Sequence, residues 1–301
     1  MNKLIQFFQK LFSGDKLVIG IPYGWFTLLV AIPILIVLKI SLSEMEMTSV
    51  SSLIDWSNGW PTLKLNFSSY QFIAKDALYI KTYISSIKYA LITTALCLMI
   101  GYPFAYFMAR SPKHLQPMLL MLIMLPFWTS FLLRIYAWKT LLVSNGVINN
   151  VLMSLHIISE PLQMMNNSFS LLIGMVYSYL PFMILPLYAN LSKMDLRYLE
   201  AASDLGASPF KAFWLITVPL SKAGIIAGSM LVFIPAVGEF VIPELLGGPS
   251  TLMIGRVLWD EFFSNNDWPM AAAVAVVMIL LILVPIAIFN KSQAEQMEGK
   301  A

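Results

Sequence analysis

The sequence is poor in the residues that build catalytic and metal centres. Its 301 residues contain one cysteine, Cys97, and two histidines, His114 and His156. A single cysteine excludes a disulfide framework within the chain. Two histidines in separate polar segments, with no cysteine beside them, predict no metal site. No paired carboxylates or nucleophile–base arrangement favours an integral-membrane enzyme. We therefore expect no catalytic residue, no metal and no cofactor.

Charge is equally scarce, because Asp, Glu, Lys and Arg make up 12% of the chain, against roughly a quarter in a soluble domain. The formal net charge of +3 and the lack of a long basic run argue against a nucleic-acid partner. What the chain has instead is apolar, at 58% of all residues. So few charges cannot cover a water-facing surface, which indicates that much of the chain contacts membrane lipid.

Long apolar segments divide the chain into about six candidate transmembrane helices. Each is close to the roughly 20 residues that cross a bilayer core, and backbone groups in lipid are satisfied within a helix. We therefore predict an all-α polytopic membrane protein. The predicted spans are residues 18–42, 84–109, 118–143, 168–190, 223–243 and 270–290.

The basic residues predict an inner-membrane protein with both termini in the cytoplasm. With the N-terminus inside, eleven of the 19 Lys and Arg residues fall in inner segments and four in outer ones, as the positive-inside rule requires. Residues 1–17 are then a cytoplasmic amphipathic segment, 43–83 a periplasmic loop and 291–301 a cytoplasmic tail. The outer segments carry nine acids against four bases. This excess either concentrates a cationic solute or simply reflects the exclusion of basic residues.

The segment 190–222 is an unusually polar inner loop that predicts two short helices. Asp195 can cap the first helix, and Gly206 can take the left-handed position that ends it. Ser208 and Pro209 provide a cap and a proline at the first position of the second helix, which Pro219 is expected to close. A polar helix–turn–helix projecting from a membrane protein is suited to docking another protein.

The same loop resembles the EAA loop of binding-protein-dependent ABC importer permeases. The matching residues are Glu200, Ala201, Ala202, Gly206, Ile216, Val218 and Pro219. Val218 stands where the family usually has leucine. Within this family, 125–138, 228–248 and 267–269 are similar to polyamine importer permeases, and the similarity covers nearly all of the chain beyond residue 17.

The resemblance implies the fold and the partners. We expect a type I ABC importer permease domain over 84–290 with its coupling loop at about 190–222. Glu200, Ala201, Ala202, Gly206 and Pro219 would then belong to the surface that meets an ATPase dimer. A second, homologous permease and a periplasmic polyamine-binding protein would complete an importer of putrescine or a related polyamine. No G-x-x-x-x-G-K-[ST] phosphate loop is present in the sequence, so ATP hydrolysis is expected from a separate chain.

Four residues are candidates for the substrate path. Glu239 lies in the fifth predicted span, where a carboxylate is costly and either functions or has a partner such as Arg134. Trp128 and Tyr177 can offer ring faces to a cation, and Asp267 precedes the last span. Helices and an intramembrane acid are also compatible with an ion-coupled secondary transporter, which would leave the EAA-like loop unexplained.

Overall fold

The computed structural model describes residues 14–46, 49–55 and 62–298, and most of these residues are helical. The predicted amphipathic segment lies mainly outside them, as does the end of the predicted tail. The chain divides into two compact units. The first unit comprises the described residues up to Lys75 together with Glu261–Ile279, and the second comprises Asp76–Asp260 and the chain from Leu280 onward.

The elements of the first unit begin with a long apolar helix. It consists of α1 (Gly14–Phe26), a π-helical turn (Thr27–Ala31) and α2 (Ile32–Ser41). Two short antiparallel hairpins follow, β1 (Met45–Glu46) with β2 (Ser49–Val50) and β3 (Ile54–Asp55) with β4 (Thr62–Leu63). Helix α3 (Ser68–Lys75) comes next. The final helix of the chain, α15 (Trp268–Glu298), begins in this unit after a π-helical turn.

The second unit holds the remaining helices. They are α4 (Ala77–Arg110), α5 (Gln116–Met124), α6 (Phe131–Leu142), α7 (Val147–Ser154), α8 (Ser168–Leu191), α9 (Arg197–Asp204), α10 (Pro209–Ala212), α11 (Val218–Leu220), α12 (Lys222–Val237), α13 (Val241–Leu246) and α14 (Ile254–Trp259). Helices α4, α8 and α12 pack on one another and form the centre of this unit. Gly174 of α8 allows a close approach there, since a Cβ at this position would lie 2.5 Å from Leu246 Cδ1.

The membrane-spanning pattern is less regular than predicted. Four helices in the described part of the chain are long and apolar enough to span, and the number rises to six if each of two bent pairs counts as one span. The all-α prediction is confirmed, but the predicted spans 118–143 and 223–243 are not continuous helices. Helix α4 also starts at Ala77 rather than at 84, because Asp76 Oδ1 accepts the backbone N–H of Leu78 and caps the helix there (2.8 Å).

Two local features interrupt these spans. Pro126 has no N–H to donate, and a 3₁₀ turn at Leu125–Trp128 followed by extended Thr129 bends the third span by 85°. In the fifth span, α12 ends at Val237 and α13 begins at Val241. Residues 238–240 therefore form a break inside a predicted span, and Glu239 lies in that break.

Candidate functional site

The loop 190–222 has the predicted helix–turn–helix form. Asp195 Oδ1 accepts the N–H of Arg197 at 3.0 Å and starts α9. Gly206 has φ +79°, and the following N–H of Ala207 donates to Ala202 O at 2.9 Å, which closes the end of α9. Ser208 Oγ then accepts the N–H of Lys211 at 3.4 Å and caps α10. The two capping residues and the helix-ending glycine that were predicted from the sequence are thus all observed.

Asp195 also forms an ion pair with Arg197 at the start of α9. Its Oδ2 accepts hydrogen bonds from Arg197 Nη2 at 2.6 Å and from Nε at 2.8 Å. The side-chain hydrogen bond from Arg197, together with its backbone N–H, lowers the pKa of Asp195 below its ordinary value. The carboxylate is consequently charged throughout the physiological pH range.

The second half of the loop is attached to α4 by aromatic contacts. The ring of Phe213 lies edge-on to Tyr102 (5.5 Å between centroids) and to Tyr106 (5.8 Å). The hydroxyls of Tyr102 and Ser221 are 2.8 Å apart and hydrogen-bonded. The loop is therefore packed against a long helix of the transmembrane core.

The predicted role of Pro219 in closing the second helix is wrong. The chain passes through a π-helical turn (Phe213–Thr217) and stays helical through α11 to Leu220. In a regular α-helix, proline lacks one N–H donor and its ring clashes with a carbonyl of the preceding turn. The wider π-helical turn gives the ring more space, so the helix continues past the proline. The bend comes two residues later, at Ser221, where the axis turns by 65° into α12.

The predicted coupling residues differ in how far their side chains are exposed to solvent. Glu200, Ala201 and Gly206 are exposed, whereas Ala202 is only 7% exposed and packs inside the chain. The expectation that Ala202 faces a partner is therefore corrected. Leu205 is instead 89% exposed and Phe210 is 74% exposed. The sequence analysis missed Leu205, although an isolated leucine beside a helix-ending glycine in a polar loop was the available signal.

Glu239 has several hydrogen-bond donors and no cationic partner among the described residues. Its Oε2 accepts the hydroxyl proton of Tyr179 at 2.5 Å. Its Oε1 lies 3.2, 3.0 and 3.4 Å from the backbone nitrogens of Phe240, Val241 and Ile242, all of which donate to it. The half-buried carboxylate thus caps α13 from the break in the fifth span.

Arg134 does not pair with Glu239, which rules out the partner considered from the sequence. Its guanidinium carbon lies over the ring of Phe127 at 4.9 Å and near the ring of Phe131 at 5.8 Å. Its Nε and Nη1 atoms are buried and have no hydrogen-bond partner within the described chain. Cation–π contacts therefore hold this arginine in place of an ion pair.

Contacts at its other end hold α13 against α8. Ser170 Oγ donates to Leu246 O at 2.6 Å. Gly174 leaves room for the side chains of Ile242 and Leu246, since a Cβ there would approach them to 2.9 and 2.5 Å. Helix α13 is thus joined to α8 at both ends, through Glu239–Tyr179 and through Ser170–Leu246.

A groove of about 360 Å³ lies beside α13 in the same unit. It is bordered by Phe131, Tyr136, Phe240, Glu244, Arg256 and Trp259. The rings of Phe240 and Trp259 stack with centroids 4.6 Å apart. Arg256 Nε lies 2.6 Å from Glu244 Oε2 and 3.9 Å from Asp260 Oδ2. The groove is therefore mainly aromatic, and its best-placed carboxylate already has a cationic partner.

The other predicted path residues each have contacts of their own. Trp128 is 77% exposed, while its neighbour Phe127 packs on Phe182 of α8 (5.2 Å). Tyr177 is half-buried and lies edge-on to Trp138 at 5.5 Å. Asp267 belongs to the first unit, where its Oδ1 accepts the N–H of Met270 at 3.0 Å and caps α15. Their part in transport stays a prediction.

Comparison with known sequences identifies relatives for most of the chain. Residues 98–292 match the family described as binding-protein-dependent transport system inner membrane component. The chain is 38% identical to the spermidine/putrescine transport system permease protein PotB of Haemophilus influenzae, over 92% of this chain and 93% of that protein. It is 38% identical to the Escherichia coli protein of the same name, over 86% of this chain and 90% of that protein.

Solved structures with the same fold include a bacterial ABC transporter that imports the acidic polysaccharide alginate. The match has a TM-score of 0.62 at 16% identity and covers 97% of this chain and 99% of the matched chain. A second match, with the same TM-score, is the alginate transporter in complex with a periplasmic protein bound to an alginate pentasaccharide, covering 94% and 96%. At this identity the likeness concerns the fold.

Proposed function

This chain belongs to the family of binding-protein-dependent transport system inner membrane components, and we propose that it is the permease subunit of an ATP-driven importer of putrescine or a related polyamine. The observation that carries the proposal is the exposed inner loop, which has the family's EAA residues and uncovered apolar side chains at its tip. The polyamine class is supported by the permease relatives at 38% identity, whose names specify spermidine and putrescine.

The loop is the docking surface for a separate ATPase subunit. Leu205 and Phe210 are large, apolar and almost fully exposed, and such side chains on a polar loop favour burial in a protein partner. The distribution of basic residues supports a cytoplasmic position for this loop and for both termini. A second permease and a periplasmic binding protein would complete the assembly.

The geometry provides a mechanical link from the loop to the transmembrane region. Phe213 contacts two tyrosines of α4, and α12 begins directly after the bend at Ser221. Because packed helices move as rigid elements, displacement of the loop by closing ATPase subunits would shift α12. Its far end is the break that contains Glu239.

The predicted path residues are of the types that bind a cationic solute, namely carboxylates and aromatic rings. We assign Glu239, Trp128, Tyr177 and Asp267 to the substrate path. Ring faces attract a cation by about 0.5–2 kcal/mol each, and a carboxylate accepts charge-assisted hydrogen bonds from an ammonium group. Solute would pass by alternating access as the helices reorient. The chain itself would carry out no bond chemistry.

Uptake of labelled putrescine tests this function. Cells that lack their own polyamine uptake systems would express the chain together with its genomic neighbours. The ATPase subunit would be either active or inactivated by a substitution in its phosphate loop. We expect uptake only with the active ATPase. Uptake that persists without ATP hydrolysis but collapses with the proton gradient would favour the ion-coupled secondary transporter instead. No putrescine uptake, but uptake of spermidine, would retain the importer and change the solute.

A further inference from the structure

The carboxylate of Glu239 is held by neutral hydrogen-bond donors of the described chain. Among the described residues, its partners are one phenol hydroxyl and three backbone N–H groups. Arg134, the counterion considered from the sequence, lies on phenylalanine rings instead. A carboxylate inside a membrane protein is costly without a compensating charge. One cationic group bound at this carboxylate would neutralise its charge.

Tyr179 is a well-fixed donor to this carboxylate. It is only 7% exposed and lies in the middle of α8, five residues after Gly174, which contacts α13. Its hydroxyl reaches Glu239 Oε2 at 2.5 Å. Helix α8 is also bonded to the far end of α13, through Ser170 Oγ and Leu246 O. The Tyr179 hydrogen bond is therefore the second of two attachments between α8 and this short helix.

The same carboxylate sits at the junction of two helices that have different attachments. Helix α13 is bonded to α8 by side-chain hydrogen bonds at both ends, whereas α12 packs along α8 and α4 and leads back to the exposed loop 190–222. Gly255 packs directly beneath the break, since a Cβ there would lie 2.4 Å from Gly238 O and 2.7 Å from Glu239 O. The backbone of the junction therefore packs closely against α14, and the half-buried Glu239 carboxylate bonds across the junction to Tyr179 of α8.

We propose that Tyr179 is a positioning residue that holds Glu239 in a resting arrangement, and that an ammonium group of the solute replaces its hydroxyl at the carboxylate. An ammonium donor forms a stronger, charge-assisted hydrogen bond than a phenol, so it can compete for Oε2. Loss of the tyrosine bond removes the side-chain hydrogen bond that joins the α12–α13 junction to α8. Movement of α12, and with it the ATPase cycle, is then favoured only when cationic solute is present. This inference rests on the proposed function and names the group that senses the solute.

The test compares Tyr179→Phe with Tyr89→Phe in the full assembly. Tyr89 is a matched control, since its hydroxyl bonds to the neutral hydroxyl of Ser168 at 2.7 Å and does not touch Glu239. The assembly would be reconstituted in proteoliposomes with its binding protein, and ATP hydrolysis measured with and without putrescine. We expect Tyr179→Phe to raise solute-free hydrolysis about tenfold, which corresponds to about 1.4 kcal/mol. The ratio of stimulated to basal hydrolysis should fall towards one.

Substitutions of Glu239 give a second measurement. Glu239→Gln removes the negative charge that would attract the ammonium group, so putrescine stimulation of hydrolysis should be lost. Glu239→Asp keeps the charge but is one methylene too short for both sets of donors, so basal hydrolysis should rise as in Tyr179→Phe. This variant decides the question if Tyr179→Phe accumulates poorly.

Two results would overturn the inference. One is a Tyr179→Phe assembly that behaves like Tyr89→Phe, and the other is an equal loss of basal and stimulated hydrolysis at matched abundance, as a purely structural role predicts. The basal comparison needs no solute. Absence of putrescine uptake by the unsubstituted assembly would therefore refute the proposed substrate, while the basal rates would still decide the role of Tyr179.

Discussion

Replacing Gly206 by alanine tests the backbone conformation of the loop 190–222 separately from the chemistry of its surface. Gly206 has φ +79°, and a Cβ added there would meet nothing within 4 Å. Alanine therefore introduces no clash, and its whole cost comes from the left-handed conformation. For an L-residue this cost is about 1–2 kcal/mol. Asparagine, which adopts this conformation more readily, provides the matched control with a larger side chain.

The expected effect on transport follows from this cost. A penalty of about 1–2 kcal/mol lowers the population of the observed loop about 5- to 30-fold relative to competing conformations. If this conformation is the one that docks to the ATPase, Gly206→Ala should reduce uptake by up to this factor. Gly206→Asn should stay within about twofold of the unsubstituted protein, because it restores the turn.

The assay is initial-rate putrescine uptake at matched membrane abundance, together with recovery of the ATPase subunit in a pull-down. Equal uptake by the alanine and asparagine variants would refute the argument that the left-handed turn controls coupling. Loss of uptake in both would show that the surface at this position, and not its backbone conformation, is the sensitive feature.

Further predictions concern the rest of the loop and the core. Leu205→Glu should abolish ATPase recovery without lowering membrane abundance, because the leucine is 89% exposed; reduced thermal stability in detergent would contradict this. Gly174→Ala should cost about 1–3 kcal/mol by overpacking and lower the midpoint of thermal unfolding, since its Cβ would lie 2.5 Å from a leucine methyl. Gly24→Ala, which meets nothing within 4 Å, should leave that midpoint unchanged. Asn149→Leu should speed proteolysis of the following loop, because the buried amide bonds to both the N–H and the C=O of residue 162 and an unsatisfied buried group costs about 1–3 kcal/mol; unchanged cleavage would refute it. The lowered pKa of Asp195 means that its contribution is present above its ordinary pKa and lost as pH falls through the lowered value. Protection of the amides at the start of α9 from hydrogen exchange should therefore stay constant from about pH 8 to about pH 5, where Asp195 remains ionised. Increased protection of this turn on acidification would contradict the ion pair.

Local features of the fold were predictable where a short stretch of sequence decides them. The predicted span 168–190 corresponds closely to Ser168–Leu191, because one continuous apolar run is bounded by a capping asparagine. The turn at Gly206 and the cap at Ser208 were likewise readable from single residues. The break at Pro126 was only partly signalled, since a proline inside a membrane helix is tolerated or disruptive according to its neighbours.

The partners of the buried polar groups could not be predicted in this way. Sequence reasoning offered Arg134 to Glu239, yet Tyr179 is the observed partner and lies 60 residues away along the chain. The choice depends on the rotation of α8 relative to the break after α12, which no local pattern encodes. Ala202 is a similar case, because its identity matches the coupling motif while packing turns it inward.

The sequence by itself determined that this chain lies in a membrane, has helical spans and carries a polar helix–turn–helix loop, since hydropathy, helix length and caps are properties of short segments. The tertiary structure alone decided which spans are broken, which loop residues are uncovered and which groups surround the intramembrane carboxylate. These features depend on contacts between segments far apart in the chain, where packing and hydrogen-bond satisfaction override local preference.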